Sequence, residues 1–276
     1  MDMTHTRQTN PGVQPGKLSH WLGRVPANRA VLVLVSLLLA ILLWDVVVRL
    51  GNFPPFILPS PGLVWKRCWQ VLGDGSLLRN SFITLGEVLS GLALGVSVAT
   101  VLGYLLAKFP AVERLLSPYV VASQSIPIVA IAPLLVIWFG PGLFSKVLIC
   151  ALIVFFPVLV NTIVGLRSVP DDLRDLMRSL KATTWQTLRL LEIPAALPVF
   201  LGGLRVGATL SVIGAVVGEF VGSDRGLGFM INRARGQYDT ALVFVAVISL
   251  VMMALALYGL VVILESRLLS WQERPE

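Results

Sequence analysis

Residues 30–48 read AVLVLVSLLLAILLWDVVV, nineteen positions with a single charge and no polar stripe. The hydrocarbon core of a bilayer takes about 20 apolar residues in a helix, so this stretch alone is long enough to cross it. Comparable stretches recur near 83–106, 119–139, 146–166, 199–222 and 241–264. In hydrocarbon every backbone N–H and C=O must be bonded within the chain. Long unbroken apolar runs meet that demand as helices, whereas barrel strands would alternate over about ten residues. Composition agrees, because 56% of the 276 residues are hydrophobic and only 13% are charged, against roughly a quarter charged in an ordinary soluble domain. The fold class expected is all-α, a polytopic membrane protein of about six transmembrane helices.

The net charge of +7 would suit nucleic acid if it were gathered in one patch, but the basic residues lie in the connections between spans. With the N-terminus cytoplasmic, the inner segments hold Arg7, Lys17, Arg24, Arg29, Lys108, Arg114, Arg167, Arg174, Arg178, Lys181, Arg189, Arg267 and Arg274, thirteen in all. The outer segments hold Arg49, Lys66, Arg67, Arg79, Lys146, Arg225, Arg233 and Arg235, which is eight. This bias places both termini inside. Residues 1–29, rich in Pro, Gly and Asn, read as a flexible cytoplasmic tail, 30–272 as the transmembrane domain and 273–276 as a short C-terminal tail. No small-residue cleavage site follows the first apolar run, which reads as a retained anchor.

Between the first two spans, prolines 54, 55, 59 and 61 precede a short helical pattern of Leu63, Val64, Trp65, Val71 and Leu72, with Trp65 and Trp69 suited to a membrane interface. The long connection RSVPDDLRDLMRSLKATTWQTLRLLEIPAALP, residues 167–198, carries more information. Pro170 with Asp171 and Asp172 supplies a helix start. Leu173, Leu176, Met177 and Leu180 fall at i, i+3, i+4 and i+7, an apolar stripe flanked by Arg174, Asp175, Arg178 and Lys181. Thr183 and Gln186 have the spacing of a capping box, and Pro194 and Pro198 should break the chain before the fifth span. Two short helices with an exposed apolar ridge result, and such a ridge docks a partner.

The stretch Asp175–Pro194 resembles the EAA motif of permeases in binding-protein-dependent ABC importers. That motif runs E-A-A, three residues, Gly, nine residues, then I-x-L-P. Asp175, Leu176 and Met177 stand in the E-A-A places, Lys181 in the glycine place, and Leu191, Ile193 and Pro194 in the closing places. The segments SQSIPIVAIAPLLVIWFGPG (123–142) and IGAVVGEFVGSDRGLGFMI (213–231) are similar to the nitrate, sulfonate and taurine branch, which includes thiamine-precursor and riboflavin relatives. The resemblance implies a type I importer permease in a prokaryotic inner membrane. It implies a homodimer, two ATPase subunits that bind ATP and Mg, and an extracytoplasmic solute-binding protein. The 168–198 loop would be the coupling element, with Asp175, Leu176, Met177, Leu180, Lys181, Leu191, Ile193 and Pro194 meeting the ATPase. The solute itself stays open, as does whether the permease dimer is homomeric.

A phosphate-binding loop needs G-x-x-x-x-G-K-[ST]. Gly12 to Gly16-Lys17-Leu18 has the wrong spacing and lacks the hydroxyl, so ATP hydrolysis is expected elsewhere, with no cofactor or metal on this chain. Catalytic residues are also not expected, since His5 and His20 lie in the tail and Cys68 and Cys150 in unrelated contexts. Small residues recur every four positions at Gly91, Gly95, Ala99 and Gly103, and again at Gly203, Gly207, Ser211 and at Gly214, Gly218, Gly222, a spacing that lets membrane helices approach closely. Pro127, Pro133 and Pro157 should kink spans three and four. Ionisable groups inside spans are costly. Asp45 and Arg49 can satisfy one another, Glu87 can reach the headgroups, and Arg205 lies near the inner boundary. Glu219 is the candidate for the substrate path, which Gln124, Ser125 and Asn161 could also line. An alternative function is an ion-coupled secondary transporter with Glu219 as its coupling carboxylate.

Overall fold

A computed structural model describes residues 29–270. The expected tails lie outside the described residues except Arg29, as do His5, His20 and the Gly12–Leu18 segment. Every regular element among the described residues is helical. The chain divides after Asn52 into two units. In the first, α1 (Arg29–Leu50) is apolar on every side, and its Asp45 and Arg49 pair at 2.6 Å.

The second unit begins with α2 (Pro61–Gly73), where the Ser60 hydroxyl accepts the Leu63 amide at 3.4 Å and Pro61 opens the first turn. Next come α3 (Ser76–Lys108), α4 (Pro110–Gln124), α5 (Ile128–Phe139) and α6 (Leu143–Arg167). Then follow α7 (Asp171–Ser179), α8 (Thr184–Thr187), α9 (Ile193–Gly222), α10 (Leu227–Gly236) and α11 (Thr240–Leu268). Among the described residues five helical stretches are long and apolar enough to cross a membrane, and six if α4 and α5 form one span.

Two expectations need correction. The third span is not one kinked helix. The chain turns by 92° between α4 and α5, because Pro127 leaves the helical region, with ψ 113°. Nor is the second helix of the 167–198 connection separated from the fifth span. From α8 the chain passes through a π-helical turn, Leu188–Glu192, directly into α9. The wider turn puts Pro194 in the first turn of α9, where its missing N–H costs nothing.

α6 lies between α3 and α9, and the small-residue stripes bring the three helices together. Gly91 of α3 and Gly214 of α9 approach Cys150 of α6 from two sides, with no room for a methyl group at either glycine. Gly95 meets Ala151 and Val154, and Gly103 meets Thr162. Without a hydrophobic drive in lipid, this close approach supplies the dispersion contact that holds spans together. Around Ala99, Val154, Val158 and Leu159, all fully buried, the three helices form the core. α11 packs on α9, and Arg205 of α9 meets Glu265 of α11 at 3.1 Å.

The segment after α9, between the fifth and sixth spans, contains α10. Leu227, Met230, Ile231 and Ala234 recur at i, i+3, i+4 and i+7 and are its buried face. The signal was in the sequence but short, and two glycines and two arginines diluted it.

Candidate functional site

Two places combine charge, burial and geometry beyond what packing needs, and they sit at opposite ends of the spans.

At one end is the α7–α8 loop. Asp171 and Asp172 occupy the first turn of α7, where carboxylates complement the helix dipole. Thr183 and Gln186 form the capping box in both directions, Thr183 N donating to Gln186 Oε1 at 2.8 Å and Gln186 N to Thr183 Oγ1 at 3.3 Å. Leu173, Leu176 and Leu180 are exposed, Met177 half-buried. The structure thus groups Leu176 and Leu180 on an open ridge, with Trp185 exposed nearby in sequence. Leu191 and Pro194 are half-buried where the π turn enters α9, and Ile193 is exposed there.

Lys181, in the glycine place of the motif, has φ 54°, the left-handed region that favours glycine. The turn is the one glycine would make, held by Ala182 N donating to Met177 O at 3.0 Å. A side chain in this conformation costs about 1 kcal/mol or more. Lys181→Gly should therefore firm the turn by about that much, seen as roughly fivefold slower amide exchange at Ala182; unchanged exchange would refute it.

At the other end is a buried ionic cluster. Lys146 of α6 donates to Glu87 of α3 at 2.8 Å and to Ser223 at 2.7 Å. Thr84 donates to Glu219 Oε1 at 2.6 Å while accepting the Leu227 amide at 2.8 Å. The other Glu219 oxygen accepts the Gly228 and Phe229 amides. Asn80 accepts the Gly226 amide at 2.8 Å. Glu87, Glu219 and Lys146 are all buried. Glu87 therefore does not reach the headgroups, as its position near a span end had suggested. Glu219 places a carboxylate at the start of α10, where free amides and the helix dipole favour it. The cluster ties α10 and the 223–226 turn to α3, α6 and α9. The partnership of Lys146, Thr84 and Asn80 is not visible in the sequence, where Lys146 reads as an outer-segment cation.

Gly226 makes this turn possible. It has φ 105° and ψ 171°, a region used almost only by glycine, and a Cβ there would overlap the Glu219 carboxylate. Gly226→Ala should cost about 3 kcal/mol through strain and the displaced carboxylate. A lowered heat-unfolding midpoint with full helix content would show it, and an unchanged midpoint would contradict it.

The four polar residues assigned to the path are not brought together. Gln124 and Ser125 are exposed at the α4–α5 bend. Asn161 donates to Pro157 O at 2.8 Å and abuts Gly203. Gly203 and Glu219 are sixteen residues apart on α9, about 24 Å along the axis. Among the described residues no group of three or more His, Cys, Asp or Glu is placed to hold a metal ion.

Among the described residues, five to six apolar spans with an amphipathic helix at one end define a polytopic membrane protein. The chain belongs to the family described as binding-protein-dependent transport system inner membrane component, whose model matches residues 93–270. It is 48% identical over 238 residues to the riboflavin transport system permease protein RibX of Chloroflexus aurantiacus, covering 86% of this chain and 89% of that one. It is 35% identical over 237 residues to the formylaminopyrimidine transport permease protein ThiX of Halalkalibacterium halodurans, covering 86% and 94%. Among solved structures, inward-facing MetNI methionine ABC transporter matches with a TM-score of 0.64 over 71% of this chain and 97% of that one, at 19% identity. The fold is that of an ABC importer permease, and the chain is a multi-pass permease subunit of that kind.

Proposed function

We propose that the chain is one half of a permease dimer in a prokaryotic inner membrane, moving a small solute delivered by an extracytoplasmic binding protein. Separate ATPase subunits, carrying ATP and Mg, dock on the 168–198 loop and drive the change of access. The observation that carries this is the open apolar ridge of Leu176 and Leu180 on a helix outside the spans, beside a turn that keeps the glycine geometry of the coupling motif. An apolar helix face of this kind is buried by a groove in a partner. Asp175, Met177, Lys181, Leu191, Ile193 and Pro194 complete the contact or brace it. Both termini are inside, so α2 and α10 lie on the outer side.

ATP and the loaded binding protein must favour one access state over the other for transport to be driven. Gln124 and Ser125, exposed at the 92° bend, are the best placed of the path candidates. Glu219 and Asn161 would act on the path from behind, through the segments they hold. The ion-coupled alternative is not favoured, because Glu219 has both oxygens engaged by Thr84 and the α10 amides. The names of its relatives support a nitrogen-rich heterocycle, of the riboflavin or pyrimidine kind, as solute.

The test is uptake into proteoliposomes. The chain alone should be inactive, and activity should appear with the ATPase, ATP and a loaded binding protein. Uptake driven by an ion gradient without the ATPase would overturn the proposal. Equal uptake of taurine and riboflavin, each with its own binding protein, would remove the solute assignment only.

A further inference from the structure

We propose that the end of the spans beside α7 holds one phospholipid with a hydroxylated, anionic headgroup of the phosphatidylglycerol kind. Two adjoining cavities, both walled in part by Leu166, supply the site. The first, about 400 Å³, is lined by Lys108, Arg174, Arg178, Thr184, Thr187 and Glu192 among others. Three cations face one carboxylate, and Lys108 already engages that carboxylate at 2.6 Å. The second, about 420 Å³, is an apolar groove walled by Tyr104, Leu105, Ile193, Leu197 and Phe200. The two threonines within it turn their hydroxyls back to their own helices, Thr100 to Val96 O and Thr162 to Val158 O, each at 2.7 Å.

The order of the two cavities along the spans matches a lipid. Lys108 ends α3 and Arg167 ends α6, which marks the membrane boundary. The cationic pocket lies at that boundary. The groove runs inward along α3 from Leu105 to Thr100. Thr100 is eight residues from Lys108, about 12 Å, within one leaflet of a core about 30 Å thick. A headgroup at the pocket thus leaves its acyl chain at the depth of the groove.

Two residues lining the pocket each carry a buried polar atom without a partner, Arg174 Nε and Glu192 Oε2. Arg174 is fixed by Nη2, which donates to the Leu166 carbonyl at 2.8 Å, so that its guanidinium lines the pocket and faces a phosphodiester there. Glu192 Oε2 needs a donor, which a phosphate lacks and a headgroup hydroxyl supplies. Buried groups of this kind are costly unless bonded, and guanidinium groups suit phosphate oxygens. A bound lipid would brace α7 against the ends of α3 and α6.

The test uses the full chain, purified and stripped of lipid, with phosphatidylglycerol and phosphatidylcholine of matched chains as probes and retention read by native mass spectrometry. Phosphatidylglycerol should be held in preference. Arg178→Gln, whose other contact is a surface pair with Asp175, should weaken retention about fivefold, the worth of one basic residue near an anionic headgroup. Leu105→Trp, filling the groove, should abolish retention, and Val101→Trp in the same groove serves if that variant does not fold. Equal retention of the two lipids would overturn the proposal, as would an equal loss from Arg114→Gln, an exposed cation outside the pocket. Displacement by inorganic phosphate with no effect of Leu105→Trp would make the site one for free phosphate. A change in dimer fraction without a change in lipid would assign the groove to a second copy.

Discussion

Replacing Leu176 with Asp should leave the permease inserted, folded and dimeric while stripping it of its ATPase subunits. Leu176 is 52% exposed, so the substitution removes no buried contact from the chain itself. In the complex it would put an unpaired carboxylate into an apolar groove, a cost of several kcal/mol, enough to lower affinity by two orders of magnitude or more. Leu180→Asp, on the same ridge and more exposed, should behave alike. Leu173→Asp should matter less, since it lies a turn nearer the start of α7. Co-purification of the ATPase and its stimulation by the loaded binding protein are the measurements. Wild-type levels of both in Leu176→Asp would end the assignment of this loop as the coupling element.

The second large effect is on stability. Lys146→Met keeps the length of the side chain but leaves Glu87 without its buried cation. Removing one partner of a buried ion pair costs about 3–5 kcal/mol, because the remaining charge has neither water nor a counter-ion. The helix midpoint in a denaturing-detergent titration should fall accordingly, and α10 should loosen first, since Lys146 also holds Ser223. Adding Glu87→Gln should restore a large part of the loss by removing the stranded charge. A single Lys146→Met as stable as wild type would show that the cluster contributes nothing to the fold, and no restoration in the double variant would show that Glu87 is not the stranded group.

The same cluster separates what is legible in one dimension from what is not. Apolar run lengths placed the first, fourth and sixth spans to within four residues of α1, α6 and α11. The i, i+3, i+4, i+7 spacing of Leu173, Leu176, Met177 and Leu180 gave the ridge. Thr183 and Gln186 gave their cap, and the four-residue glycine stripes gave the close faces of α3 and α9. All of these depend on neighbours within two helical turns, where periodicity carries the information. Family membership was legible for a related reason, because the motif spacing from Asp175 to Pro194 is a property of one loop.

The 92° turn at Pro127 and the π turn that joins α8 to α9 were not legible in the sequence. A proline states only that a helix is disturbed, and whether the chain kinks, breaks or widens depends on what lies against it. Lys146 pairs with Glu87 across 59 residues and Glu219 with Thr84 across 135. No local pattern records such separations. Sequence by itself determined that this chain is made of membrane helices with a short amphipathic helix outside them, since burial in lipid and helical periodicity are read residue by residue. Only the tertiary structure decided that Glu219 braces α10 and that Glu87 is buried with Lys146. A charge inside a membrane protein is tolerated only where a partner meets it, and that partner is set by how the helices pack.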